Sequence, residues 1–254
     1  MPVPTPRSTA RLDRIDLLRA VAMLWMTAFH FCFDLTYFGF TQQNFYDDPF
    51  WTWQRTCIVS LFLFTAGLSQ AVAVEQGQRW PRFWRRWAQV AGGALLVSIG
   101  SWLMFPDTFI YFGILHGIAA MLILARLTAG WGVWLWPLGA VAISVKWVAP
   151  LVIAALPSLS FLNHPGFNAL GFIGRLPVTE DYAPVLPWLG VMWWGLAAGR
   201  WLLVNRPQWL GAGDALATGP KRALVMLGRW SLSYYLLHQP VMIGLLSAVV
   251  WWRG

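Results

Sequence analysis

The segment that decides the fold runs from residue 11 to residue 40, with the sequence RLDRIDLLRAVAMLWMTAFHFCFDLTYFGF. From Leu17 onward it is apolar and long enough to cross a bilayer, which needs about 20 helical residues. The same segment carries four ionisable side chains, Asp16, Arg19, His30 and Asp34. Ionisable groups inside a membrane are costly and usually serve a function. The segment is therefore predicted to be a transmembrane helix with a functional role.

These four side chains share one face of the predicted helix. At about 100° per residue, Asp16, Arg19, His30 and Asp34 fall within an arc of roughly 60°. The remaining faces are leucine, valine, tryptophan and phenylalanine. A single polar stripe on an apolar helix should face the interior of a helix bundle. The alternative is an ordinary helix whose polar groups only satisfy one another.

The composition excludes an ordinary soluble domain. The chain of 254 residues is 58% hydrophobic and 11% charged, with 19 tryptophans, whereas globular domains carry about 25% charged residues. Helices satisfy their own backbone hydrogen bonds in lipid, and the apolar runs are far longer than the roughly 10-residue strands of a membrane barrel. We predict an all-α, polytopic transmembrane bundle that forms one domain over residues 1–254.

Seven apolar segments are expected to cross the membrane. They span about residues 16–38, 50–74, 87–105, 108–127, 133–155, 184–203 and 230–252. Lysine and arginine concentrate in every second connection, and such connections are usually cytoplasmic. This pattern predicts a cytoplasmic N-terminus and an external C-terminus. The formal charge of +8 lies mostly in these flanking clusters, which favours contact with lipid headgroups over nucleic acid.

The spacing of Arg19 and His30 points to a function. This Arg-x10-His pattern on a first transmembrane helix resembles the motif of acyltransferase-3 type membrane acyltransferases. Further pieces resemble, in the same order, the heparan-alpha-glucosaminide N-acetyltransferase catalytic-domain family. The pieces are IDLLRAVAMLWMTAFHFCFDL, LFLFTAGLS, FPDTFIYFGILHGIA, DYAPVLPWLG and LGRWSLSYYLLHQPV. The resemblance implies a bacterial enzyme of the inner membrane that uses acetyl-CoA or another acyl-CoA as cosubstrate.

Three residues are candidates for catalysis. His30 and Asp34 lie one helical turn apart, so the carboxylate can hold the imidazole in one tautomer and raise its basicity, as a general base requires. His116 lies within the fourth segment, at a depth where it can meet His30. The resemblance implies that this helix lines the same cavity, so we expect His116 to be a second base or a substrate ligand.

The stripe on the first helix spans the membrane. Eighteen residues separate Asp16 from Asp34, about 27 Å along a helix. Asp16 and Arg19 therefore lie at the cytoplasmic mouth, where they are candidates for binding the acyl donor. For Arg19 alone, a role as a cationic membrane anchor is the alternative.

Four further residues are candidates for binding the acceptor or supporting the site. Asp181 and Tyr182 begin a stretch that resembles the family's Asp-Tyr-x-Pro-Leu-x-Pro-Trp pattern, although Asp181 can equally cap a helix. Arg55 is placed to pair with Asp34 or Asp181. His238 shares a helix face with Tyr234 and Tyr235, where a structural hydrogen bond is as well supported as catalysis.

One departure from the family matters for the mechanism. Its lysosomal members place the histidine proposed for acetyl transfer in the loop after the first family helix, whereas the loop Gly39–Pro49 contains no histidine. A direct transfer, in which His30 deprotonates an acceptor hydroxyl or amine, is therefore the simpler scheme.

The sequence thus predicts a membrane acyltransferase that moves an acetyl or other short acyl group from cytoplasmic acyl-CoA to an extracytoplasmic glycan or small acceptor. Its expected partners are the lipid bilayer and these two substrates, without metal or nucleic acid, and a homo-oligomer is compatible with the sequence. Two other functions use the same residues. One is a proton-coupled transporter of small solutes. The other is a haem protein with two of His30, His116 and His238 as axial ligands.

Overall fold

A computed structural model describes residues 13–210 and 219–253 of the chain. These residues form α-helices joined by turns and by two 3-10 helices, Ala129–Trp134 and Pro157–Asn163. The α-helices are α1 (Asp13–Tyr37), α2 (Pro49–Glu75), α3 (Trp80–Met104), α4 (Ile114–Leu127), α5 (Leu135–Ala155), α6 (Pro165–Asn168), α7 (Val185–Asn205), α8 (Pro207–Leu210), α9 (Gly219–Arg229) and α10 (Ser231–Arg253). No β-strand occurs within the described residues, so the all-α prediction is confirmed.

Within the described residues, five helical segments are long and apolar enough to cross a membrane. They are Asp13–Tyr37, Pro49–Glu75, Trp80–Met104, Ala129–Ala155 and Ser231–Arg253. Helix α4 is a shorter apolar helix of 14 residues, and α7 packs mainly against α2 and α5. The total of seven spans and the cytoplasmic N-terminus stay predictions. Residues 1–12, and residues 211–218 of the predicted basic loop, lie outside the described residues.

The predicted fourth segment begins later in the structure than expected. Helix α4 starts at Ile114, not at residue 108. Two serines of α3 explain the difference, because Ser98 Oγ donates to Ile110 O at 2.6 Å and Ser101 Oγ accepts from Ile110 N–H at 2.9 Å. These bonds pair the N–H and C=O of Ile110 without a helix, so the stretch before Ile114 does not have to be helical.

Helices α2 and α7 pack closely against each other through small residues. A Cβ atom added at Gly67 would collide with the backbone of Met192 and Leu196, and one added at Gly195 would collide with the backbone of Phe64. Small residues at these positions let the two helix backbones approach, as in other membrane bundles. Helix α1, which carries the predicted polar stripe, packs against α2 of this pair.

We expect Gly67→Ala to destabilise the protein. The added methyl group must push the backbones of α2 and α7 apart, at a cost of roughly 1–3 kcal/mol. The matched control is Gly92→Ala on α3, where an added Cβ has no neighbouring atom within 4 Å. Thermal unfolding in detergent should give a lower Tm for Gly67→Ala and an unchanged or higher Tm for Gly92→Ala. Equal Tm values for the two variants would contradict the close α2–α7 contact.

Candidate functional site

A row of polar side chains joins α1 to α10. Three side-chain hydrogen bonds cross between the two helices, and we call the six residues that make them the polar seam. The pairs are Thr27–Tyr234 at 2.7 Å, His30–His238 at 2.8 Å and Asp34–Gln239 at 2.8 Å. The predicted polar stripe of α1 therefore does face another helix of the bundle.

The middle pair of the seam fixes how two histidines share their protons. His30 Nδ1 lies 2.8 Å from His238 Nε2, and His238 Nδ1 lies 2.7 Å from the carbonyl oxygen of Tyr235. A carbonyl only accepts, so His238 Nδ1 carries a hydrogen. With both rings neutral, His238 Nε2 is then the acceptor and His30 Nδ1 is the donor.

This arrangement leaves the other nitrogen of His30 as the basic one. His30 Nε2 has no hydrogen-bond partner within the described part of the chain. The His30 and His238 rings are nearly parallel, with centroids 5.1 Å apart, and the Tyr234 ring also stacks on His238, with centroids 5.8 Å apart. Both imidazoles are therefore held in orientation, as a general base requires.

The structure gives Asp34 a different partner from the one expected. Asp34 was predicted to orient His30, but His30 bonds to His238, and Asp34 Oδ1 accepts from Gln239 Nε2 instead. Asp34 is 2% exposed. Its Oδ2 and the Oε1 of Gln239 are both buried without a hydrogen-bond partner in the described residues.

Asp181 connects the loop before α7 to the start of α4. Its Oδ2 accepts the Ile114 N–H at 2.7 Å, so it caps α4 from a distant part of the chain. Burial raises the pKa of the Asp181 carboxyl above its ordinary value, while the Ile114 N–H and the charge of Arg55 oppose that rise. Arg55 was predicted to pair with Asp34 or Asp181. Its charge acts on Asp181, but no ion pair between Arg55 and either carboxylate occurs within the described residues.

His116 was expected to act as a second base beside His30, but its hydrogen bonds go to Gly113 and Ser98. Its Nδ1 accepts the Gly113 N–H at 3.3 Å, and its Nε2 lies 3.1 Å from Ser98 Oγ. Both ring nitrogens are thus in use within the entrance to α4. These contacts favour a structural role for His116, close to the helix end that Asp181 caps.

Arg19 and Asp16 lie together near the N-terminal end of α1, as expected. Arg19 donates to Asp16 Oδ1 at 2.6 Å and to Ser69 Oγ of α2 at 2.6 Å. The next helix along this end is α9, where Arg229 bonds to Asp13 at 2.7 Å. A Cβ added at Gly228 would collide with the backbone of Asp16. Helices α1, α2 and α9 therefore meet at one charged cluster.

A small pocket of about 160 Å³ opens beside the C-terminal end of α1. Its lining is mostly aromatic and comprises Phe33, Thr36, Tyr37, Gln43, Phe45 and Tyr46. Burial raises the pKa of Tyr46, the charge of Glu180 adds to the rise, and the charge of Arg55 opposes it. The pocket, Arg55 and the loop around Asp181 therefore belong to the same end of the bundle.

The remaining candidates have structural partners. The Tyr182 hydroxyl donates to the Asn168 carbonyl at 2.6 Å, which ties the loop before α7 to α6. His164 is exposed, and its Nδ1 accepts the Gly166 N–H at 3.2 Å. Within the described ranges, no group of three or more histidine, cysteine or acidic side chains is arranged to hold a metal ion.

Sequence reasoning missed two partners that shape the site, Gln239 and Ser98. Gln239 follows His238 directly and precedes Pro240, so a polar pair beside a helix-breaking residue was an available signal. Ser98 lies in an apolar helix without any distinguishing pattern. Its role depends on the position of Ile110 and His116, which only the folded chain provides.

Comparison with protein families gives a match that covers most of the chain. The family model described as heparan-alpha-glucosaminide N-acetyltransferase, catalytic, matches residues 11–240. Neither the curated proteins nor the solved structures give a significant match. The matched range contains both helices of the polar seam up to Pro240.

Proposed function

Because the chain belongs to the heparan-alpha-glucosaminide N-acetyltransferase catalytic family, a family of membrane acetyltransferases, we propose that it transfers an acetyl or other short acyl group from acyl-CoA to a glycan or amino-sugar acceptor. The observation that carries the proposal is the His30–His238–Tyr235 hydrogen-bond chain. It supplies an oriented imidazole with one unpartnered nitrogen inside a membrane-spanning bundle.

His30 is the proposed general base, and His238 takes the orienting role that the sequence assigned to Asp34. When His30 Nε2 accepts a proton, the imidazolium still donates through Nδ1 to His238 Nε2. His238 in turn stays anchored by its Nδ1–H to the Tyr235 carbonyl. The relay therefore stabilises the charged form of His30 without changing its hydrogen bonds, which is the function of the third group in a catalytic triad.

The proposed reaction is a direct acyl transfer. The acceptor oxygen or nitrogen attacks the thioester carbonyl, and its proton moves to His30 Nε2 as the new C–O or C–N bond forms. The C–S bond then breaks, and the CoA thiolate receives that proton from His30. No acyl-enzyme forms in this scheme, which agrees with the absence of histidine from the loop at residues 39–49.

The two substrates are proposed to approach from opposite ends of α1. The Asp16–Arg19 cluster and the basic connections favour the phosphates of acyl-CoA at the cytoplasmic end. The aromatic pocket beside Tyr46, with Arg55 and Asp181 nearby, supports acceptor binding at the other end. His30 lies eleven positions after Arg19, about 16 Å along the helix, which an extended cofactor arm is able to cover.

The test uses purified protein in detergent with acetyl-CoA and an amino sugar. We expect free CoA thiol to appear faster with the acceptor than without it. We also expect acetyl-CoA binding, measured by calorimetry, to weaken as salt screens the phosphate contacts.

Two results would overturn the proposal. One is the absence of acetyl-CoA binding to folded protein at low salt. The other is solute movement in liposomes without any consumption of thioester, which is the behaviour of a transporter.

A further inference from the structure

The Asp34–Gln239 pair of the polar seam contains two buried oxygens that nothing in the described structure satisfies. Gln239 Nε2 donates to Asp34 Oδ1 at 2.8 Å, which uses one oxygen of the carboxylate. Asp34 Oδ2 and Gln239 Oε1 are the oxygens that remain. Buried polar atoms in proteins are nearly always paired, so two adjacent exceptions need an explanation.

Both unpaired atoms are hydrogen-bond acceptors. An ionised carboxylate has no hydrogen to donate, and the oxygen of an amide only accepts. A bound molecule that satisfies the pair must therefore bring hydrogen-bond donors. Because one of the two oxygens belongs to a carboxylate that is 2% exposed, a charged or strongly polar donor gains most from this position.

The pair also lies beside the proposed base. Asp34 is one helical turn from His30 on α1, and Gln239 follows His238 on α10. The two helices thus present the base and the unpaired acceptors along the same seam. We propose that Asp34 and Gln239 bind a hydrogen-bond-donating group of the acyl acceptor, either an ammonium or a hydroxyl. This assignment rests on the function proposed above, and it replaces the orienting role expected for Asp34.

Access to the pair depends on how α10 is held. Of the residues of α10, His238 is the one that is buried, so the polar seam provides much of the attachment of this helix to the bundle. Because Asp34 is 2% exposed, α10 would have to move away from α1 for an acceptor to reach the pair. An acceptor bound between the helices then restores the hydrogen bonds of the seam through its own donors.

The rival explanation is internal. A proton on Asp34 Oδ2 that bonds to Gln239 Oε1 would complete a neutral acid–amide pair and leave no place for a ligand. Asp34→Asn separates the two explanations, because an asparagine pairs with the Gln239 amide as well as a neutral acid does. Asparagine cannot, however, offer a carboxylate to an acceptor.

The experiment measures CoA release by purified variants while acceptor and acetyl-CoA are varied separately. For Asp34→Asn we expect the acceptor KM to rise at least about tenfold, since a charge-assisted hydrogen bond is lost. The KM for acetyl-CoA should change less than about twofold, and the Tm should not fall, because the substitution removes a buried, unpaired charge. Gln239→Met, which keeps the length of the side chain, should also raise the acceptor KM.

Gln70→Met is the matched control, because it makes the same change as Gln239→Met at a buried glutamine that lies on α2, outside the polar seam. Its acceptor KM should stay within about twofold of the wild type. A pair of acceptors, an amino sugar and the sugar with a hydroxyl at the same carbon, identifies the bound group. A larger effect of Asp34→Asn on the amino sugar indicates an ammonium, and an equal effect indicates a hydroxyl.

Three results would overturn the assignment while leaving the acyltransferase proposal intact. They are an unchanged acceptor KM in Asp34→Asn, an equal rise in Gln70→Met, and a fall in Tm accompanied by weaker binding of both substrates. A wild-type protein that releases no CoA with any acceptor would instead overturn the proposed function, and this assignment with it.

Discussion

Replacement of His30 by alanine is expected to reduce acyl transfer by at least about 100-fold, the usual loss when a general base is removed. The physical reason is that Nε2 of His30 is the unpartnered imidazole nitrogen of the polar seam, positioned through His238. Membrane insertion and acetyl-CoA binding should be unchanged. CoA release by purified protein, with acetyl-CoA binding measured in parallel, gives the result.

His164→Ala is the control for this prediction. It makes the same chemical change at an exposed histidine that only caps the short helix α6, so its activity should equal that of the wild type. If His30→Ala retained more than about a tenth of the wild-type rate, below the loss expected for a general base, His30 would have to be structural.

The second large effect is expected at His238. In His238→Leu, His30 Nδ1–H loses its acceptor, and the imidazole becomes free to adopt the wrong tautomer. We expect kcat to fall by about 10- to 100-fold, as when a group that orients a reactive histidine is removed. The KM for acetyl-CoA should be unchanged, because His238 is not proposed to touch the donor.

A conservative variant separates orientation from general packing. In His238→Gln the side-chain oxygen can accept the His30 Nδ1–H, so a substantial part of the lost activity should return. Leucine and glutamine variants with equal kcat would contradict the orienting role. So would a wild-type kcat in His238→Leu.

The helices of this fold could be predicted from the sequence because two local patterns, apolar length and the spacing of polar residues, indicate the same structure. The long apolar runs predict spanning helices, and the spacing of Asp16, Arg19, His30 and Asp34 predicts that α1 turns one face inward. The structure confirms the helices, and it confirms that Asp16 and Asp34 are buried. The family assignment was also available, because its motifs are scattered along the chain in order.

The partners of the site residues were not predictable in the same way. His30 and Asp34 are neighbours by helical spacing, but their hydrogen bonds go to residues more than 200 positions away. Such contacts depend on how α10 is rotated and shifted against α1, which no local pattern specifies. His116 shows the same limit, because its hydrogen bond to Ser98 depends on the non-helical stretch at residues 105–113.

The pairing of His30 with His238 has a consequence for biosynthesis. The two histidines are separated by 208 residues, so the ribosome must have passed His238 before the relay is able to form. A chain interrupted anywhere in between contains His30 but not His238. Under the proposed function, the base is therefore organised only after α1 and α10 have met, and incomplete chains in the membrane lack the pair.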